Sequence, residues 1–175
     1  MNIARLLVSN SLLVAMSITA PARAADACNA VFDAMAKLAT TPHHQYMSEP
    51  AGDKPGHKRE SEIVQTATMH YLKVQGTWVA RAYDEKAAAA LASRAANDGE
   101  LTCKMVDNEN VDGQPTNVFA THHETDGGSA DQRIWISTST GLPLRQTIDI
   151  EVGDDRGKTH KDLRYEYMNV SAPSG

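Results

Sequence analysis

Positive charge is in short supply in this 175-residue chain. There are 17 Lys and Arg against 22 Asp and Glu, a net charge of −5 at neutral pH. That balance speaks against nucleic acid and anionic lipid surfaces as partners, since both call for basic patches. Long apolar runs are missing beyond the first residues, so nothing later is long enough to span a bilayer as a helix. Repeats and low-complexity tracts are absent too. The chain also lacks a nucleophile elbow, a phosphate-cradling glycine loop and a zinc-protease helix. The expectation is a single non-enzymatic domain with no cofactor.

Cysteine is scarce: Cys28 and Cys103 are the two in the chain. An even count in an exported protein predicts a disulfide, with two buried thiols as the alternative. Export itself is read from the start of the sequence. Arg5 precedes the apolar run LLVSNSLLVAMSITA, and ARA precedes Ala25. This pattern predicts a secretory signal peptide over residues 1–24 and a soluble mature domain over 25–175. Losing Arg5 and Arg23 takes two positive charges away and moves the net charge from −5 to −7. The cytosolic redox and zinc roles of paired cysteines do not suit an exported chain.

After the leader comes a helix. In CNAVFDAMAKL the residues Cys28, Val31, Phe32, Met35 and Leu38 recur at helical spacing, with Asp26 as N-cap and Pro42 as breaker. SEPAGDKPG reads as a polar loop. From Arg59 the pattern turns β. ESEIVQTATMHYLKV reads as one long strand, QG as a turn and TWVARAY as the return. Ile63, Ala67, Met69 and Tyr71 then share a face with Trp78, Ala80 and Ala82. DEKAAAALASRAANDG reads as a second helix, with Asp84 as N-cap and Gly99 just past its end.

The rest reads as a meander. Asp112-Gly113 is a two-residue hairpin signal, and Ser139-Thr140-Gly141 a three-residue loop with Gly141 at positive φ. The two-residue turn places Val118, Ala120 and His122 on one face with Asp107, Met105 and Cys103. The three-residue loop sets Ile136 opposite Leu144 and Ile134 opposite Gln146, and Trp135 beside Arg145 on the outer surface. A four-residue loop from Asp154 to Gly157 sets Ile148 opposite Leu163, Gln146 opposite Tyr165 and Leu144 opposite Tyr167. In PLRQTIDIEV the residues Leu144, Ile148, Ile150 and Val152 alternate with Arg145, Thr147, Asp149 and Glu151. The apolar sets all fall on one face, and a slip of one residue in any hairpin would undo that agreement. Cys103 points to this face and Cys28 lies on the helix stripe, so a bridge would tie helix to sheet.

This order of elements resembles the periplasmic lipoprotein-carrier superfamily, the LolA/LolB-like fold. Its members commonly carry Trp, then Ile or Val, then Asp or Ser, two free positions, Ser or Thr, Gly-Leu-Pro, Leu or Val, and Arg. Here Trp135, Ile136, Ser137, Thr140, Gly141, Leu142, Pro143, Leu144 and Arg145 fill those places. The resemblance implies an α+β half-barrel: a curled antiparallel sheet with two helices over a concave apolar face that accepts acyl chains. The functional arginine of the carrier has no assignable counterpart, and no C-terminal extension is visible.

The implied ligand-binding residues are Met69, Tyr71, Val118, Ala120, Ile134, Ile136, Leu144, Ile148, Ile150, Leu163, Tyr165 and Tyr167, with Gln146 as a polar handle. The implied partners are a lipid or the acyl chain of a lipoprotein, or a periplasmic or outer-membrane protein. The competing reading is an interaction or structural module on the same fold with a filled core. Of the 7 histidines, His122 shares a strand face with Glu124, which needs a cross-strand partner to hold a metal. His160 is expected to oppose Glu151. Surface or core-edge roles are the expectation for all of them, and no metal site is assigned.

Overall fold

The computed structural model describes residues 22–51, 56–84, 86–88, 90, 101–125, 127–153 and 157–174. One helix, α1 (Ala22–Thr40), precedes nine strands: β1 (His43–Pro50), β2 (Lys58–Gln65), β3 (Met69–Val74), β4 (Thr77–Ala82), β5 (Leu101–Val111), β6 (Gln114–Thr125), β7 (Gly128–Ser137), β8 (Pro143–Val152) and β9 (Lys158–Glu166). The strands form one antiparallel sheet in the order β4-β3-β2-β1-β9-β8-β7-β6-β5. The sheet does not close, and β4 and β5 are its edges.

The helix begins at Ala22, so Asp26 lies within it, exposed, and is not its cap. Ala27, Val31, Ala34 and Leu38 are its most buried side chains. Their spacing is that of one helix face. Ala27, Val31 and Ala34 pack on Cys103, Phe119, Ile134 and Ile136. Leu38 packs on Leu163 and Tyr165. This is the core, and it defines the inner face of the sheet. The C-terminus is finished by the Thr40 and Thr41 hydroxyls, which donate to the Lys37 carbonyl at 3.2 and 2.7 Å. Lys37 in turn donates to the Thr140 carbonyl and ties the helix to the β7–β8 hairpin.

The expected disulfide is present: Cys28 is bonded to Cys103. It joins α1 to β5, an edge strand. The tight turns also form as the residues dictate. Gln75-Gly76 and Asp112-Gly113 have positive φ at both positions, the pattern of a type I′ hairpin turn. Gly141 has φ 68°, and the Gly141 amide donates to the Ser137 carbonyl at 2.9 Å. The Asp84 carboxylate accepts from the Ala87 amide at 3.0 Å and caps a helical turn there. The rest of the alanine-rich stretch, including Gly99, lies outside the described residues.

Four expectations about pairing are corrected. First, His43–Pro50 is a strand that takes in the start of the expected SEPAGDKPG loop, and it sits between β2 and β9. Its polar composition hid it. Second, the single strand expected over residues 60–74 is a hairpin. Thr66 exchanges hydrogen bonds with Met69, through both backbone and hydroxyl, and reverses the chain. Ile63 then opposes Leu72, and Met69 and Tyr71 move to the outer face. Third, β5 carries an irregularity between Met105 and Asp107. Asp107 opposes Val118 as expected, but Cys103 now opposes Thr121. One extra residue resets the period-2 alternation. Val118 and Ala120 therefore face outward beside Trp135 and Arg133.

Fourth, the last hairpin is two residues out of the expected register: Gln146 opposes Leu163 and Ile148 opposes Lys161. An even shift keeps every side chain on its predicted face. His160 consequently meets Asp149, not Glu151. In the β7–β8 hairpin Ile134 opposes Gln146 as expected. An irregularity after Trp135 puts Ile136 opposite Pro143 and not Leu144.

Candidate functional site

On the outer face Trp135 behaves as its position predicts. It pairs with Arg145, whose guanidinium carbon lies 4.9 Å from the ring centroid, and its indole N–H donates to Glu109 at 2.8 Å. Arg145 also donates to Asp162 at 2.8 and 3.1 Å. These contacts hold the outer surface together and bury the tryptophan, which is 5% exposed. His122 lies between Asp131 at 2.9 Å and Glu124 at 3.6 Å. The Asp131 hydrogen bond foremost holds its pKa above the usual imidazole value. Among the described residues no group of three or more His, Cys, Asp or Glu is arranged to hold a metal ion.

The inner face holds a cavity of about 530 Å³ between α1 and the two wings of the sheet. Its apolar wall comes from Val31, Phe32, Met35, Leu38 and Ala39 of α1, with Ile63, Leu101 and Ile134 from the strands. Val31 and Leu38 are buried against the sheet, whereas Phe32 and Met35 are half-buried and line the space beside it. The helix is thus too narrow to cover the sheet, and the gap beside it is the cavity.

The polar lining comes from β1 (His43, Gln45), β2 (Gln65), β3 (His70), β6 (Thr121, His123) and β7 (Gln132). Several of these groups are fixed by bonds of their own. The Gln65 NH₂ donates to the Ala39 carbonyl at 2.8 Å, and the Tyr83 hydroxyl donates to the same oxygen at 2.7 Å. His43 Nδ1 lies 2.8 Å from the Thr41 carbonyl, so it carries the proton. Burial pushes the His43 pKa down, and His70 is pushed down by burial and by Arg81. A hydrogen-bonded chain crosses the sheet from the Tyr165 hydroxyl to Gln146 at 3.0 Å and from the Gln146 NH₂ to Gln132 at 2.6 Å. Burial raises the Tyr165 pKa, and it raises that of Tyr167, so both phenols stay protonated donors.

The twelve candidate ligand residues divide four ways. Met69, Tyr71, Val118 and Ala120 face outward, for the reasons given above. Ile136, Leu144, Ile148, Leu163, Tyr165 and Tyr167 are on the inner side but are occupied by packing. Leu163 and Tyr165 pack with Leu38 in a cluster that Ile148 and Tyr167 join, Ile136 packs under α1, and Leu144 is 6% exposed. Ile150 lines a separate depression of about 160 Å³ beside Gly128. Ile134 alone of the twelve lines the cavity beside α1. The lining residues missed are the helix side chains, with Ile63 and Leu101, and a polar set from five strands. A glutamine on the same strand face as leucine and isoleucine, as Gln146 is in β8, was the available signal; it opposes Ile134 and bonds diagonally to Gln132, which is in register with Thr121.

No protein-family model matches the sequence, and no curated protein matches it. Solved structures do. A chain of the Pseudomonas aeruginosa MucA/MucB complex matches with a TM-score of 0.50 at 16% identity, over 85% of this chain and 59% of that one. LprF from Mycobacterium bovis matches with a TM-score of 0.44 at 15% identity, over 86% of this chain and 98% of that one. A LolA superfamily protein from Nitrosomonas europaea matches with a TM-score of 0.25 at 11% identity, over 85% and 95%. At these identities the likeness is one of fold. What the chain shares with that MucA/MucB chain is the fold, here an open antiparallel sheet with a helix on its inner face.

Proposed function

We propose that this protein is a non-enzymatic binder or carrier of an apolar ligand, a lipid or acyl chain, in the bacterial periplasm after export. The observation that carries the reading is the cavity of about 530 Å³ under α1, walled by Phe32, Met35, Leu38, Ile63 and Ile134. Interiors are ordinarily packed to crystal-like density, so a space of this size on an apolar face is a place for a guest. Ala88, in the helical turn capped by Asp84, lines the cavity as well. A LolA/LolB-like fold is consistent with such a role, and the name of the MucA/MucB complex adds a protein partner as the second class of ligand.

The test is displacement of a fluorescent apolar dye, 1-N-phenylnaphthylamine, from delipidated protein. The dye should bind once per chain, and Ile63→Trp, which projects into the cavity, should abolish binding while the protein still unfolds cooperatively. Absence of dye binding by the parent, with no lipid retained in a native mass spectrum of freshly purified protein, refutes the reading.

A further inference from the structure

The chemistry of the cavity wall narrows the ligand further, and this step rests on the cavity being a binding site. Among the described residues that line it there is no Lys, Arg, Asp or Glu. Its fixed polar groups are neutral amides and a hydroxyl. The Gln132 carbonyl oxygen is taken by Gln146 at 2.6 Å, which orients the amide and leaves its NH₂ to donate. Thr121 is 5% exposed, and its hydroxyl has no partner among the described residues. The Gln45 amide is likewise unpartnered among them. Two of the lining histidines, His43 and His70, are held neutral at pH 7 by burial, so they supply no countercharge.

We propose that the cavity takes a single apolar chain bearing a neutral hydrogen-bonding head, such as a monoacylglycerol, and selects against free carboxylates and phosphates. A charged head would meet no Lys or Arg among the described lining residues, and desolvating an unpaired carboxylate is costly. A hydroxyl or ester head loses far less, because Thr121, Gln132 and Gln45 replace its bonds to water. Size agrees with a single chain: at roughly 30 Å³ per methylene, about that of a water molecule, a space of about 530 Å³ accommodates one long acyl chain.

The experiment is competition against bound 1-N-phenylnaphthylamine at pH 7.5, below micelle concentrations. The competitors are 1-monopalmitoylglycerol, palmitate and dipalmitoylphosphatidylglycerol. Monopalmitoylglycerol should displace the dye at a concentration roughly tenfold or more below that of palmitate, and the phospholipid should be weaker still. Thr121→Val, nearly isosteric, and Gln132→Leu should each bring the ratio of monopalmitoylglycerol to palmitate toward one. That ratio is insensitive to a partial loss of folded protein. If palmitate or the phospholipid competes as well as the neutral lipid, or if neither variant moves the ratio, the head-group assignment is wrong while the binding reading stands. If the dye does not bind at all, both fall.

Discussion

Removing the bridge between Cys28 and Cys103 is the most direct test of how the helix is held. The two residues are 75 apart in sequence. Closing a loop of that length in the unfolded chain removes entropy worth about 4–5 kcal/mol at 25 °C, less any strain in the native state. The site has little else to fall back on, because α1 packs chiefly on β5, and β5 has a neighbour on one side only. For a domain of this size each kcal/mol moves the melting temperature by about 2–4 °C. The double variant Cys28→Ala/Cys103→Ala should therefore melt roughly 8–20 °C below the parent. Urea unfolding followed by circular dichroism, with and without reductant, measures this. Reduced parent and unreduced double variant should nearly coincide, the reductant having no effect on the latter. A loss below about 1 kcal/mol would show that the helix is held by packing alone and that the loop-closure reasoning does not apply here.

Three other outcomes follow. Ile148 packs with the Leu38, Leu163 and Tyr165 cluster and does not line the cavity, so Ile148→Trp should overfill it and cost about 1–3 kcal/mol in urea unfolding; an unperturbed midpoint would mean that the row has room. Gly141 has φ 68° in the β7–β8 turn, so Gly141→Val should cost about 1–3 kcal/mol, and a variant that melts like the parent would contradict the turn geometry. His43 and His70 have pKa values depressed below 6.5 by burial. The unfolded chain therefore takes up these protons first, and their contribution is complete above pH 6.5 and is lost as pH falls through the lower folded values. His122 and His160, raised chiefly by their bonds to Asp131 and Asp149, act with the opposite sign but are exposed. The urea midpoint should fall between pH 7.5 and pH 5.5, and His43→Gln should flatten that slope; an equal slope in the variant would remove His43 from the account.

Much of this architecture was legible because it is written in local rules. Asp112-Gly113 and Gly141 need positive φ, the helix repeats its apolar residues at 3.6, and β8 alternates at 2. The disulfide followed from an even count and from facing positions. What was hidden falls into two physical kinds. Two backbone events reset the alternation: the Thr66 turn moved Met69 and Tyr71 outward, and the extra residue near Met105 did the same to Val118 and Ala120. Neither leaves a glycine or proline as a marker. The cavity was hidden for another reason. A search for an apolar face collects the residues that pack best, and Leu163 and Tyr165 are packed because Leu38 of α1 reaches them. The empty space lies beside the helix, among Gln45, Gln65, Thr121 and Gln132, brought together from four strands.

The strand order has a consequence for how the protein is made. The sheet consists of two meanders, β1–β4 and β5–β9, and the seam between them is the pairing of β1 with β9 in the middle of the sheet, His44 against Glu166. Every other strand pair joins consecutive strands, while this one joins nearly the two ends of the chain. The seam cannot form until β9 has been synthesised and has crossed the membrane in the exported reading. Until then β1 is an unpaired edge, and the first meander waits on its far partner. Contacts between such distant segments slow folding, since loop closure precedes the pairing that rewards it. The centre of the finished sheet is thus the last part of it to be zipped, and a chain cut short before Lys158 would lack the strand that joins its two halves.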